Sequence, residues 1–90
     1  MAKADVDPAE LRRFARDLNR FAGELETIMG GLQSRLRDVQ RTWRDQEQRK
    51  FTDEFEQTMK TLGRFLNAAN EHATFLNKKA GYIEDYLQRR

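Results

Sequence analysis

Thr42-Trp43-Arg44-Asp45-Gln46 interrupts an otherwise continuous helical pattern, and the reading of these residues decides the fold. Before them, apolar residues recur every three or four positions from Leu11 to Val39; after them, the same recurrence runs from Phe51 to Leu87. Asp45 followed by Gln48 has the form of a helix N-cap with a capping-box partner at the third helical position. The carboxylate accepts from the free amides of the new helix, and the side-chain amide reaches back to the cap. Trp43, the only tryptophan, stands just ahead of that cap. The expected fold is therefore all-α, a hairpin of two long antiparallel helices. Helix one covers about residues 8–41, the turn about 42–45 and helix two about 46–88.

Toward the N-terminus, Met1 to Val6 is short, polar and expected to fray. Asp7-Pro8 then supplies an N-cap acid with proline at the first helical position, and Glu10 adds an acid to the first turn. Helix one carries Leu11, Phe14, Leu18, Phe21, Leu25, Ile28 and Leu32 at alternating steps of three and four, a heptad seam. Arg35 breaks the phase; Leu36, Val39 and Trp43 resume it one position later, a stutter that relaxes a left-handed supercoil. The stutter falls around Gly30-Gly31, where each glycine costs about 1 kcal/mol relative to alanine. A helix ending at Gly30 and a continuous but weakened helix are both open. Continuity is favoured, because the seam crosses the pair without losing its face.

Helix two has the cleaner pattern. Phe55, Met59, Leu62, Leu66, Ala69, Ala73, Leu76, Ala80, Ile83 and Leu87 alternate four and three without a slip. The alanines at 69, 73 and 80 are expected where helices approach most closely. Lys50–Glu54, Arg49–Asp53, Glu56–Lys60 and Asp85–Arg89 lie one turn apart and can support the solvent face by a few tenths of a kcal/mol each. A second apolar stripe, Phe65, His72, Phe75, Tyr82 and Tyr86, is displaced around the helix from the first.

Two helices joined by so short a turn lie antiparallel and enclose almost no interior. One stripe of helix two can face helix one; the other then needs a partner. Burying each such side chain is worth about 1.5–3 kcal/mol, and even a single wide apolar face requires cover. The expectation is a dimer, most simply a four-helix bundle of two hairpins. Its core and dimer interface would draw on Leu11, Phe14, Leu18, Phe21, Leu25, Leu62, Phe65, Leu66, Ala69, Ala73, Phe75, Leu76 and Ile83. Asn67, Asn70, Thr74 and Asn77 form a polar stripe, read as solvent-exposed, with a register-setting role between hairpins as the alternative.

Ninety residues allow one small domain. A charged fraction of 36% with regular apolar spacing fits an amphipathic helical protein and not a disordered one. The net charge of +2 is small, and basic and acidic residues interleave. Arg12, Arg13, Arg16, Arg20, Arg35, Arg37, Arg41, Arg44 and Arg49 raise nucleic-acid binding, but the reading as a solvated helix face is preferred, and no nucleic-acid partner is expected. Without cysteine there are no disulfides, thiolate metal sites or thiol chemistry. No apolar run reaches the length of a membrane span or signal-peptide core, so membrane insertion is not expected and any export would dispense with a cleavable signal. The lone His72 and lone Ser34 sit on different predicted helices without an orienting acid, and no phosphate-binding glycine motif occurs. No enzyme activity, cofactor or metal is expected.

Small size, two long helices, no cysteine, no signal peptide and a tryptophan in the central turn together resemble the WXG family of ESAT-like proteins. These are small helical hairpins associated with type VII secretion in bacteria. The resemblance spans Asp7 to Leu87. The family turn is Trp-x-Gly; here it is Trp43-Arg44-Asp45, similar to a divergent branch in which the glycine is replaced. The family's second mark is a tyrosine followed four residues later by an acid. Here Tyr82 is followed at that distance by Tyr86, with Glu84 and Asp85 displaced, so Tyr82, Asp85 and Tyr86 form a degenerate version. The resemblance implies an antiparallel dimer, with itself or with a paralogue. Such a dimer leaves the bacterial cytoplasm folded, or carries a larger secreted protein to the type VII secretion ATPase. Trp43 is then either an exposed signal or an indole sealing the end of the bundle. The alternative function is an intracellular helical adaptor or structural coiled-coil module sharing only the architecture.

Overall fold

The computed structural model describes residues 6–89. The expected fraying of Met1–Val6 falls, apart from Val6, outside the described residues. Asp7 Oδ1 accepts from the Ala9 amide at 2.9 Å, Pro8 occupies the first helical position, and α1 runs over Pro8–Gln40. It passes Gly30-Gly31 without interruption and without a positive φ, so the continuous reading of this helix is the correct one. Its last amides close onto Asp38 and Val39 carbonyls, and the chain reverses through Arg41–Asp45. α2 then runs over Gln46–Gln88.

The two helices are antiparallel and form a rod with Cα extents of 69 × 17 × 15 Å. Its radius of gyration is 20.3 Å, against about 12 Å for a globular chain of this length. The excess is the geometric cost of two layers with no third: there is a seam but no interior.

The seam on α1 differs from the one the large side chains suggest. Leu11, Ala15, Leu18, Ala22, Leu25, Met29, Leu36 and Gln40 are the residues turned to α2, with Ala15 at 0% exposure. Phe14, Phe21, Ile28 and Leu32 are exposed instead. The leucines at 11, 18 and 25 thus belong to the buried line as expected, but alanines, and not phenylalanines, complete it. The reason is steric. Ala15 and Ala22 lie level with Ala80, Ala73 and Ala69, all buried, and small residues on both helices allow the backbones to approach. From Met29 to Leu36 the buried line keeps its phase across the glycines. The expected stutter there belongs to the outward line, which shifts from Ile28 to Leu32 and Val39.

Ion pairs also sit elsewhere than expected. Among the described residues none of the four one-turn pairs proposed for α2 forms. α1 instead pairs Glu10–Arg13, Asp17–Arg20 and Asp38–Arg41, all exposed and worth little. The cross-helix ion pair is Arg12 with Glu84, a two-pronged contact at 2.7 and 3.0 Å that fastens the open end of the hairpin. Arg12 also donates to Asn77 at 3.4 Å.

The hydrogen bond from Arg12, with its positive charge adding to it, holds the Glu84 carboxyl below its ordinary range, and the same contact raises Arg12. A folded-state pKa below the unfolded one stabilises the fold above the usual carboxylate range and is lost as pH falls through the lowered value. Acidification from neutrality to about pH 3 should therefore lower the thermal midpoint of the wild type more than that of Glu84→Gln. The difference should be small, because the pair is partly exposed.

Candidate functional site

At the turn, Asp45 Oδ1 accepts from the Gln48 amide at 2.9 Å, so the cap on α2 is present as the sequence indicates. Such a cap contributes about 1 kcal/mol. The return arm of the capping box is absent. Gln48 is buried, and its side-chain amide donates to Thr52 Oγ1 at 2.8 Å, where Gln40 Nε2 also donates at 3.1 Å. One hydroxyl of α2 thus ties the last turn of α1 to the first turn of α2, which frees Gln48 from any capping duty. Trp43 is half-buried, its ring 5.8 Å from that of Phe51, and Phe51 is 6.0 Å from Phe55. Arg44 is exposed, its Nε donating to the Gln40 carbonyl at 3.4 Å. The indole therefore lies on the side of the turn with one edge in water.

Along the rod, most of the outward aromatic and aliphatic residues precede a seam residue by one position. On α1 these are Phe14, Phe21 and Ile28, before Ala15, Ala22 and Met29. On α2 they are Phe51, Phe65, His72, Phe75 and Tyr82, before Thr52, Leu66, Ala73, Leu76 and Ile83, with Tyr86 exposed one turn further on. A common rotational offset on two antiparallel helices places both lines on the same side of the hairpin. Residues that follow seam positions are mostly polar and share the opposite side. Asn19, Gly23, Glu26, Asn67 and Asn70 line one groove there, and the Arg12–Asn77–Glu84 contact bridges it further along. The polar stripe of α2 is accordingly exposed at Asn67, Asn70 and Thr74, with Asn77 half-buried under Arg12.

The hairpin thus has a polar face and an apolar one, and the apolar one is open. Phe21 is 50% exposed, Ile28 59%, Phe65 57% and Phe75 65%. Leu62, Leu66, Leu76 and Ile83 are half-buried in the seam, beside the buried Ala69 and Ala73. Tyr82, Asp85 and Tyr86 are exposed on the last turns of α2, at the end of the rod opposite Trp43. His72 lies exposed in the middle of the apolar face, and Ser34 is exposed on α1 toward the turn, so the two are not brought together. Among the described residues no three metal-ligating side chains gather, and no helix is long and apolar enough to cross a membrane.

Sequence reasoning missed the Gln40–Thr52–Gln48 closure and the Arg12–Glu84 clamp. Gln48 and Thr52 are one helical turn apart, but nothing in local spacing marks Gln40 with Thr52 or Arg12 with Glu84. It could have found Ala15 and Ala22, which repeat at the same seven-residue interval as Ala73 and Ala80.

A rod-shaped hairpin with a tryptophan at its turn and one open apolar face defines the class of small ESAT-like helical proteins. The fold is similar to that of EsxB, a secreted protein of Bacillus anthracis strain Sterne. The TM-score is 0.85 at 25% identity, over 94% of this chain and 99% of that one. A mutant form of the same protein superposes with a TM-score of 0.82, again at 25% identity, over 94% of this chain and 98% of that one. No curated protein matches the sequence. The chain belongs to the WXG100 family, described as proteins of 100 residues with WXG, whose family model matches residues 3–86. This is a family of small helical proteins associated with type VII secretion, not of enzymes.

Proposed function

We propose that this protein acts in type VII secretion without catalysis, as a small exported substrate or as the partner that brings a larger secreted protein to the secretion ATPase. The open apolar face carries this reading: a chain that leaves a row of aromatic rings uncovered functions by being covered. It works as a helix–helix dimer, with itself or a paralogue, made in the bacterial cytoplasm and leaving it folded. Trp43, Arg44 and Asp45 form the recognition element at one end, and Tyr82, Asp85 and Tyr86 the second element at the other. The secreted character of EsxB and membership of the WXG100 family support export.

The turn is separable from folding. Asp45 caps α2 through its own carboxylate, and the Gln40–Thr52–Gln48 bonds close the turn without the indole. Trp43→Ala should therefore leave circular dichroism at room temperature nearly unchanged while abolishing export, or recruitment of the partner, in the native host. Export of a folded Trp43→Ala protein at the wild-type level would remove the turn from the mechanism.

A further inference from the structure

We propose that the turn is docked by an acidic segment of a partner protein, with Arg44 as the group that takes one of its carboxylates beside the indole of Trp43. This rests on the reading of the turn as a recognition element, and it names the chemistry that the element recognises.

The first observation is charge. From Arg35 to Lys50 the chain carries six cations and three acids, a net charge of +3 against +2 for the whole chain, so everything outside this stretch is net −1. The acids among them are mostly engaged. Asp38 pairs with Arg41 at 3.3 Å, and Asp45 Oδ1 holds the Gln48 amide. Arg35, Arg37, Arg44, Arg49 and Lys50 are exposed, and none of them makes an ion pair among the described residues. Arg12, Arg13 and Arg20, in the first half of α1, each have an acid instead. Helix stability does not ask for this excess. Arg49 and Lys50 stand close behind the N-terminus of α2, the end at which a helix favours acids and disfavours cations.

The second observation is the way Arg44 is held. Its Nε donates to the Gln40 carbonyl at 3.4 Å, which turns the guanidinium back toward α1 and leaves its two terminal nitrogens without a partner among the described residues. Those nitrogens form a planar fork that a carboxylate can take with two parallel hydrogen bonds, and a fork already oriented loses less freedom on binding. Trp43, the residue before it, turns toward α2, where its ring meets Phe51 and keeps one edge in water; Phe51 is itself 43% exposed. An acid next to an aliphatic side chain matches this pair. The carboxylate goes to the fork and the methyl groups to the indole edge.

The arrangement suits a protein carboxylate and not a polyanion. Arg35 precedes the seam residue Leu36 and Arg37 follows it, Arg49 follows Gln48, and Arg44 stands at the tip. The cations thus point to several sides of the rod, with Asp38 and Glu47 among them, and form no continuous track for evenly spaced phosphates. A diffuse positive end steers an acidic surface toward the tip, and a single fork then makes the contact.

Trp43 is the only tryptophan, so its indole N–H resonance reports on the tip without ambiguity. The probe is a blocked peptide Gly-Asp-Asp-Leu-Asp-Asp-Gly, titrated into the full chain. It should shift that resonance and the Arg44 Nε–H saturably at about 20 mM salt, with affinity at least about threefold weaker at about 200 mM. The same peptide with asparagine for aspartate should not bind. Arg44→Gln should weaken binding about tenfold, and Arg44→Lys by less, since lysine keeps the charge but loses the fork. Equal binding of the asparagine peptide, unchanged affinity in Arg44→Gln, or shifts spread evenly over the cations of the whole rod would overturn the proposal. Tighter binding of a short DNA duplex at the same resonances would assign the tip to phosphate and overturn it as well. In the native host, Arg44→Gln should cut export severalfold. If Trp43→Ala abolished export and Arg44→Gln left it at the wild-type level, the carboxylate would fail while the role of the turn stood. If neither changed it, both would fail.

Discussion

Phe21→Asp should turn the protein from a dimer into a folded monomer. Within one hairpin this ring is half in water, so its loss removes little that holds α1 to α2. In the proposed dimer it lies within the covered face. Full burial of such a side chain is worth about 1.5–3 kcal/mol; about half of that remains to be gained when a half-exposed ring is covered, and in a pair of identical chains the substitution occurs twice. The expected loss is about 1.5–3 kcal/mol, or roughly 10- to 10²-fold in dissociation constant. Two carboxylates without partners in a closing interface add to it. Asn70→Asp is the matched control: the same charge is added close to the same level of the rod, but on the polar face, and dimerisation should be unchanged. Sedimentation equilibrium gives the mass and circular dichroism the helicity. A Phe21→Asp protein that remains dimeric at low micromolar concentration would place the interface elsewhere.

That experiment touches the point where the sequence was hardest to read. The existence of both helices, their caps at Asp7 and Asp45 and the turn between them were legible, because each rests on local chemistry: a short acid before a free amide, a proline where no donor is needed, a recurrence of three and four. The second aromatic stripe of α2 was legible for the same reason. What was not legible is which of two overlapping lines on α1 faces α2. Leu11, Leu18 and Leu25 complete a heptad equally well with Phe14 and Phe21 or with Ala15 and Ala22. Hydrophobic size favours the first and close packing the second. In a core covered on all sides, size would win. In a two-helix seam the backbones come close only where side chains are small, and the rings are displaced to the side where the hairpin still lacks a neighbour. The choice is made by the facing alanines of α2, so it is a tertiary fact. The turn network was hidden in the same way, since Thr52 becomes an acceptor only once Gln40 is folded back beside it.

Gly30→Ala combined with Gly31→Ala should raise the stability of the protein by about 2 kcal/mol. Both residues lie inside α1 with helical backbone angles, so neither needs the freedom that glycine provides. A methyl group at either position meets nothing within 4 Å, so it brings no clash and little new packing. The gain is entropic. Each alanine narrows the unfolded ensemble and improves helix propensity by about 1 kcal/mol. The two changes should add, because no common neighbour couples them. At roughly 4–8 °C per kcal/mol for a domain of this size, the thermal midpoint should rise by about 8–16 °C. Gly23→Ala supplies the comparison: it too is helical with open space around it, but without an adjacent glycine, and should deliver about half as much. A double variant that gains no more than Gly23→Ala would show that the adjacent pair does not act as two independent helix positions, and would overturn the entropic account.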